Sequence, residues 1–283
     1  MSELAVIDKA AELELARMLG TSDTTENNNL LPRVKYCMDR KDDQGRNLGD
    51  FYMNLYIEGQ EDPVYAETIS IRVLSQKFQW VEYDPENENT RNKTILVNRL
   101  QDEARDRLGS TRCGKPISKV LREMPEAEQK KFENIKCQRQ IRCLVSYTGH
   151  TAGGDEITIE NQPALFILKG ANFMGFEDEV IKKMPRSKKF YEFNITVTFE
   201  EKKNGQVYYP VWHFEPDFVN LVTLDQDTLD TMRVMAEQID QENKEIDRAY
   251  QNALRKRNFT DDTADAIDAV SVASLESDLE DDQ

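Results

Sequence analysis

The chain has 283 residues, of which 39% are apolar and 32% charged, and a formal net charge of −16. That length suits one large domain or two small ones, with a core enclosed by a very polar surface. No apolar run approaches the ~18 to 20 residues that cross a bilayer, and the opening "MSELAVIDKAAELELARML" is acidic from its third residue, so neither a membrane span nor a secretory signal is expected and the chain reads as cytosolic.

Residues 3–19 carry Leu4, Ile7, Ala11, Leu15 and Met18 at helical spacing, and the polar run "GTSDTTENNN" follows as a linker. Residues 1–30 are therefore expected to be a helix and linker outside the main body. From 31 to about 218 the pattern is mostly β. "RVKYCM", "DFYMNLYIE", "ETISIRVL", "KFQWVEY", "KTILV", "RQIRCLVSY", "PALFILKG" and "FYEFNITVTFE" are short runs of branched and aromatic residues between turn formers. Asn204-Gly205 in "EEKKNGQVYYPVWHF" is the strongest hairpin signal. Helical insertions are expected at 98–108 and 117–133, and a short helix at 176–184. Many short antiparallel strands with few helices predict a closed or partly closed barrel, because closure removes exposed edges.

From 225 to 258 the period changes. Leu229, Met232, Ala236, Ile239, Asn243, Ile246, Tyr250 and Ala253 recur at three and four residues, which is a heptad seam. Asn243 occupies an a-type position, where a buried amide fixes register. The seam either pairs two chains into a homodimer or packs the helix on its own barrel. After Arg257 the chain has no basic residue. Residues 260–283 hold nine acids, residues 225–259 hold eight acids and six bases, and only −5 of the −16 falls on the first 224 residues. Composition therefore predicts a disordered acidic tail over 259–283 on a near-neutral body.

Catalytic signatures are absent. There is no phosphate-loop motif, no GxSxG and no HExxH, and the two histidines, His150 and His213, sit in unremarkable contexts. Cys37, Cys113, Cys137 and Cys143 have irregular spacing and no CxxC, so they read as reduced, buried or half-buried thiols rather than a metal site. No cofactor is expected.

Basic residues interleaved with aromatics say more. Single strands are held by cations along the phosphates and aromatic faces against the bases. "RVKY" groups Arg33, Lys35 and Tyr36; "IRVLSQKFQWVEY" groups Arg72, Lys77, Phe78, Trp80 and Tyr83. In "KCQRQIRCLVSY", Lys136, Gln138, Gln140 and Arg142 share one strand face, with Ile141, Cys143 and Val145 on the core side and Arg139 as a further candidate cation. "KKMPRSKKFY" is the densest positive stretch, with Lys182, Lys183, Arg186, Lys188 and Lys189 before Phe190 and Tyr191. An acidic tail tethered to such a groove competes for it, since a short flexible tether gives an effective concentration of about a millimolar. Solubility is the rival explanation of the tail.

The body and tail together resemble the single-stranded-DNA-binding proteins of tailed bacteriophages. "LPRVKY", "RVLSQKFQWVEYD", "LGSTRCGKP" and "FILKGANFMGFE" look like segments of a phage family, and the resemblance covers roughly 31–218, plus the tail by composition. It implies an elaborated OB-like antiparallel barrel over 31–220, a long amphipathic helix over 221–258 and sequence-independent binding of single-stranded DNA during replication, recombination and repair. It also implies action in the cytoplasm of an infected host cell. The tail residues Asp278, Glu280, Asp281 and Asp282 would contact replication proteins, namely the polymerase and helicase-primase. This chain departs from the pattern by ending "DLEDDQ" rather than on an apolar or aromatic residue. Two other classes stand beside this one: a virion or scaffold protein assembling through 225–258, and a carboxylate-dependent nuclease.

Overall fold

A computed structural model describes residues 31–42, 44–205 and 207–280, with side chains to Arg257 except those of 204, 207 and 208. The helix and linker expected over 1–30, and Asp281 and Asp282 of the tail, lie outside the described residues.

Two 16-residue strands form the centre of the molecule. They are β3 (Ile69–Asp84) and β5 (Ile135–His150), paired antiparallel from Ser70–Ser146 to Glu82–Ile135. "ETISIRVL" and "KFQWVEY" are thus one strand rather than two. The join is a bulge: Val73 pairs with Cys143 and Ser75 with Arg142, so Leu74 is an extra residue on β3. A bulge reverses which residues face inward beyond it. Ile71 and Val73 face the main core before it, and Phe78 and Trp80 face a second core after it. Arg72, Lys77 and Gln79, with Gln138, Gln140 and Arg142 opposite, occupy the outer face.

The large sheet has the order β6-β5-β3-β7-β8, where β6 is Glu156–Leu168, β7 is Ile195–Asn204 and β8 is Val207–Pro216; β4 (Asn89–Lys93) pairs with the far end of β3. The β7–β8 hairpin turns at Gly205, whose φ of 62° suits glycine. A second sheet pairs β1 (Val34–Tyr36) with β2 (Leu55–Ile57). Single bridges tie it to the rest: Arg33 to Leu165 of β6, Leu55 to Ala66, and Tyr65 to His150. Gly149 permits the last contact, because a Cβ there would lie 2.2 Å from the Tyr65 carbonyl oxygen. Neither sheet closes on itself, so the observed class is mainly β and antiparallel with added helices.

The insertions only partly match expectation. Residues 98–108 form turns and isolated bridges, not a helix, because Ile95, Val97 and Ala104 are drawn into the second core as an extended segment. Residues 117–133 split at Pro125 into α1 (Ser118–Glu123) and α2 (Glu126–Gln129). Helix α3 (Ala171–Phe176) continues as a π-helical turn over Glu177–Ile181.

Helix α4 runs from Gln226 to Glu280 as one backbone element, without a break at 258. The seam seen in the sequence lies against the chain's own outer sheet face. Met235 joins Leu74 and Leu144, Ile246 enters the second core, and Met235, Ile239 and Ile246 are all buried. Each such burial contributes about 1.5–3 kcal/mol. Ala236, placed in the seam by the heptad pattern, is exposed. Asn243 does fix register, but against a backbone rather than a second helix: its Oδ1 accepts the Leu96 N–H at 2.7 Å and its Nδ2 donates to the Leu96 carbonyl at 3.0 Å. Leu96 is buried, so Asn243→Ala leaves two peptide groups without partners. That substitution is expected to cost about 1–3 kcal/mol, read as a lower urea midpoint at unchanged slope.

Candidate functional site

The candidate nucleic-acid residues divide by burial. Arg72 is buried and donates to the carbonyls of Tyr191 at 2.8 Å and Thr223 at 2.9 Å, so it ties β3 to the approach of α4. Arg139 is 1% exposed, pairs with Glu177 at 2.5 Å and lies over the rings of Phe78, Phe173 and Phe176. Arg142 is buried and faces Glu242 at 3.4 Å. Phe78 and Trp80 fill the second core and offer no face to a base. These five are structural, and the reason is the Leu74 bulge together with the cover supplied by α4.

Others occupy intermediate positions. Tyr36 is half-buried with its ring edge-on to Trp212, and Tyr191 packs on the Leu74–Leu144–Met235 cluster. Lys35 pairs with Glu58 at 2.5 Å, and half-buried Lys77 donates to Asn98. The loop after Ile181 presents Lys183, Arg186 and Lys189 to solvent, with Lys188 half-buried and Lys182 paired to Asp178. Asp278 and Glu280 fall on the last described turn of α4.

Arg33 lies elsewhere, at a cleft of about 260 Å³ on the outer sheet face beneath α4. Lys93 from the end of β4, Arg107 from the 94–114 segment and Lys169 just beyond β6 converge on the same cleft. None of these four cations forms an ion pair among the described residues. The one carboxylate in the lining, Glu242, is already engaged by Arg142. Burial holds the Lys93 ammonium below the usual lysine range, and repulsion from Arg107 and Arg33 adds to this against the attraction of Glu242 and Glu245. Burial and then Arg33 lower Lys169 in the same way. The floor is an amide cluster of Gln79, Gln138 and Gln140, and Val81, Leu165 and Ile167 supply aliphatic walls.

No protein-family model, curated protein or solved structure matches the chain. The site therefore has to be read from its own chemistry. A convergent group of cations without ion pairs among the described residues, Lys93 half-buried and Arg33, Arg107 and Lys169 exposed, favours an anion, because an anion removes their mutual repulsion. Sequence inspection found Arg33 and the Gln138–Gln140 face but missed Lys93, Arg107 and Lys169, which stand in ordinary contexts without adjoining aromatics. The one available signal was a lysine ending an apolar strand, as in "FILKG".

The cysteines are free, with Cys37, Cys113 and Cys143 buried and Cys137 half-buried. Burial pushes the Cys113 and Cys143 thiols up to about 12, so they stay protonated and inert.

The lowered lysines set a pH signature. A lysine whose folded pKa is depressed destabilises the fold while it is charged, and the cost is relieved as pH rises from its folded value towards the unfolded value of about 10.4. Lys93→Met is therefore expected to raise stability at neutral pH by about 0.5–2 kcal/mol, with the gain shrinking at alkaline pH. Urea titrations of both chains at pH 7 and pH 10 measure this.

Proposed function

We propose that the chain is a non-enzymatic, single-stranded-DNA-binding protein, and that the cleft of Arg33, Lys93, Arg107 and Lys169 is the centre of its binding surface. The observation that carries the reading is a concave cluster of four cations that form no ion pair among the described residues, in a chain whose net charge is −16. Cations that neutralise phosphates release counterions, so affinity falls steeply with salt. Tyr83 is 45% exposed and two residues along β3 from Val81, on the same strand face, and its pairing partner Thr90 lines the cleft. It is the aromatic placed to stack on a base beside the cations, the role first given to Phe78 and Trp80. The exposed bases of the 182–189 loop would extend the phosphate track.

The OB-like reading draws on the bridges that join β6 to β1, β2 to Ala66 and Tyr65 to β5, which string strands around the main core. The acidic C-terminus would act as an intramolecular competitor for the cleft, and as a docking segment for replication proteins once DNA displaces it. A scaffold protein assembling through 225–258 ranks second, since the seam it needs is covered by β3 and β5.

Polarisation of a labelled oligothymidylate across a salt series tests the reading. The full chain should bind, a form ending at Asn258 should bind more tightly, and Lys93→Ala with Lys169→Ala should lower the log–log salt slope by about 1.4, at about 0.7 per phosphate contact on a single strand. Absence of binding by every form at low salt would overturn it.

A further inference from the structure

The floor of the cleft carries chemistry that phosphate alone does not use. The Gln79 amide orientation is settled by its neighbours: its Nε2 donates to the Thr94 carbonyl at 2.7 Å, and a carbonyl can only accept. Gln79 Oε1 is therefore the atom that receives Nε2 of Gln138 at 3.1 Å and Nε2 of Gln140 at 2.7 Å. This chain of three amides fixes the other two in turn. Gln138 and Gln140 must give their nitrogens to Gln79, and their carbonyl oxygens are left with no donor among the described residues. Both residues are only 6% exposed, and both line the cleft. Neither oxygen is among the fully buried polar atoms that lack a partner, so both keep solvent contact in the cleft and are open to a donor brought by a ligand.

A ligand that satisfies this site must bring a negative group for the cations and hydrogen-bond donors for the floor. Its remaining surface must tolerate the aliphatic walls of Val81, Leu165 and Ile167. A nucleotide has all three: a phosphate, a base edge with N–H donors, and flat apolar faces. The cleft, at about 260 Å³, lies just under the ~300–1,000 Å³ typical of drug-sized sites, so it has room for one such unit.

We propose that the cleft is a single-nucleotide subsite, in which Arg33, Lys93, Arg107 and Lys169 take the phosphate and the carboxamides of Gln138 and Gln140 take the edge of its base. Each carboxamide offers an acceptor beside a remaining N–H, the pattern by which glutamine pairs with a base edge. For the strand, this deepens the single-stranded-DNA reading and rests on it. It adds a base contact at one position to a surface otherwise held by backbone charge.

Calorimetry of the full chain with inorganic phosphate, dAMP and dCMP tests the subsite, alongside polarisation with an oligodeoxycytidylate and with the same strand carrying abasic sites. Nucleoside monophosphates should bind about tenfold or more tightly than phosphate, and the abasic strand should bind more weakly than the intact one. Gln138→Met and Gln140→Met should erase both differences while phosphate affinity persists. Equal affinity for phosphate and nucleotides, with equal affinity for intact and abasic strands, would overturn the subsite and leave strand binding standing. Binding of mononucleotides without binding of any oligonucleotide would do the reverse. Both comparisons of ligands are made on the unaltered chain, so they hold whether or not the variants fold.

Discussion

One extra residue in β3 determines what each face of the central sheet can do. Leu74 is the bulge, and it exchanges the roles of odd and even positions halfway along a 16-residue strand. Without it, Phe78 and Trp80 would share the outer face with Arg72, and Lys77 and Gln79 would be driven into the core. With it, the two aromatics close a second core, and the outer face acquires the glutamines that floor the cleft. The bulged residue is not wasted either, since Leu74 is the point where Met235 of α4 makes its hydrophobic contact.

Helix α4 converts that face from an open sheet into a cleft. It is held by Met235 on Leu74 and Leu144, by Asn243 on the Leu96 backbone, and by Ile246 in the second core. Between these anchors Glu242 meets Arg142 and supplies the one carboxylate in the cleft lining. The helix is therefore a wall of the candidate site as well as a cover for the sheet. Burial is the first cause of the lowered Lys93 and Lys169 ammonium groups, and repulsion from Arg33 adds to both.

Much of the fold was legible in the residues. Most strand runs, the hairpin at Gly205 and the start of the long helix follow from local pattern, whereas the break at Pro125 in the expected 117–133 helix did not enter the sequence reading. The orientation of Gln138, Gln140 and Arg142 follows from simple alternation in β5, which has no bulge at those positions. What local pattern cannot reveal is a change of parity inside a strand. "IRVLSQKFQW" reads as two strands or one regular strand, and either way Arg72, Phe78 and Trp80 fall on one face. The helix expected at 98–108 failed for a related reason, because tertiary packing of Ile95, Val97 and Ala104 overrode a polar helical composition. The cationic site was only partly seen, through Arg33, because its members come from four separate stretches that no sequence pattern joins. Dense runs such as 182–189 attract attention in a sequence, whereas a cluster assembled by topology does not.

Arg139 has a consequence beyond its own burial. Its guanidinium touches Phe176, which belongs to the main core, and also Phe78 and Phe173, which belong to or pack against the second. It is thus shared by two hydrophobic bodies that β3, β5 and α3 also connect. A charged group so placed cannot lose one set of rings without being left half-desolvated beside the other. Arg139 therefore couples the stability of the two cores, since loosening either one exposes a buried charge beside the other.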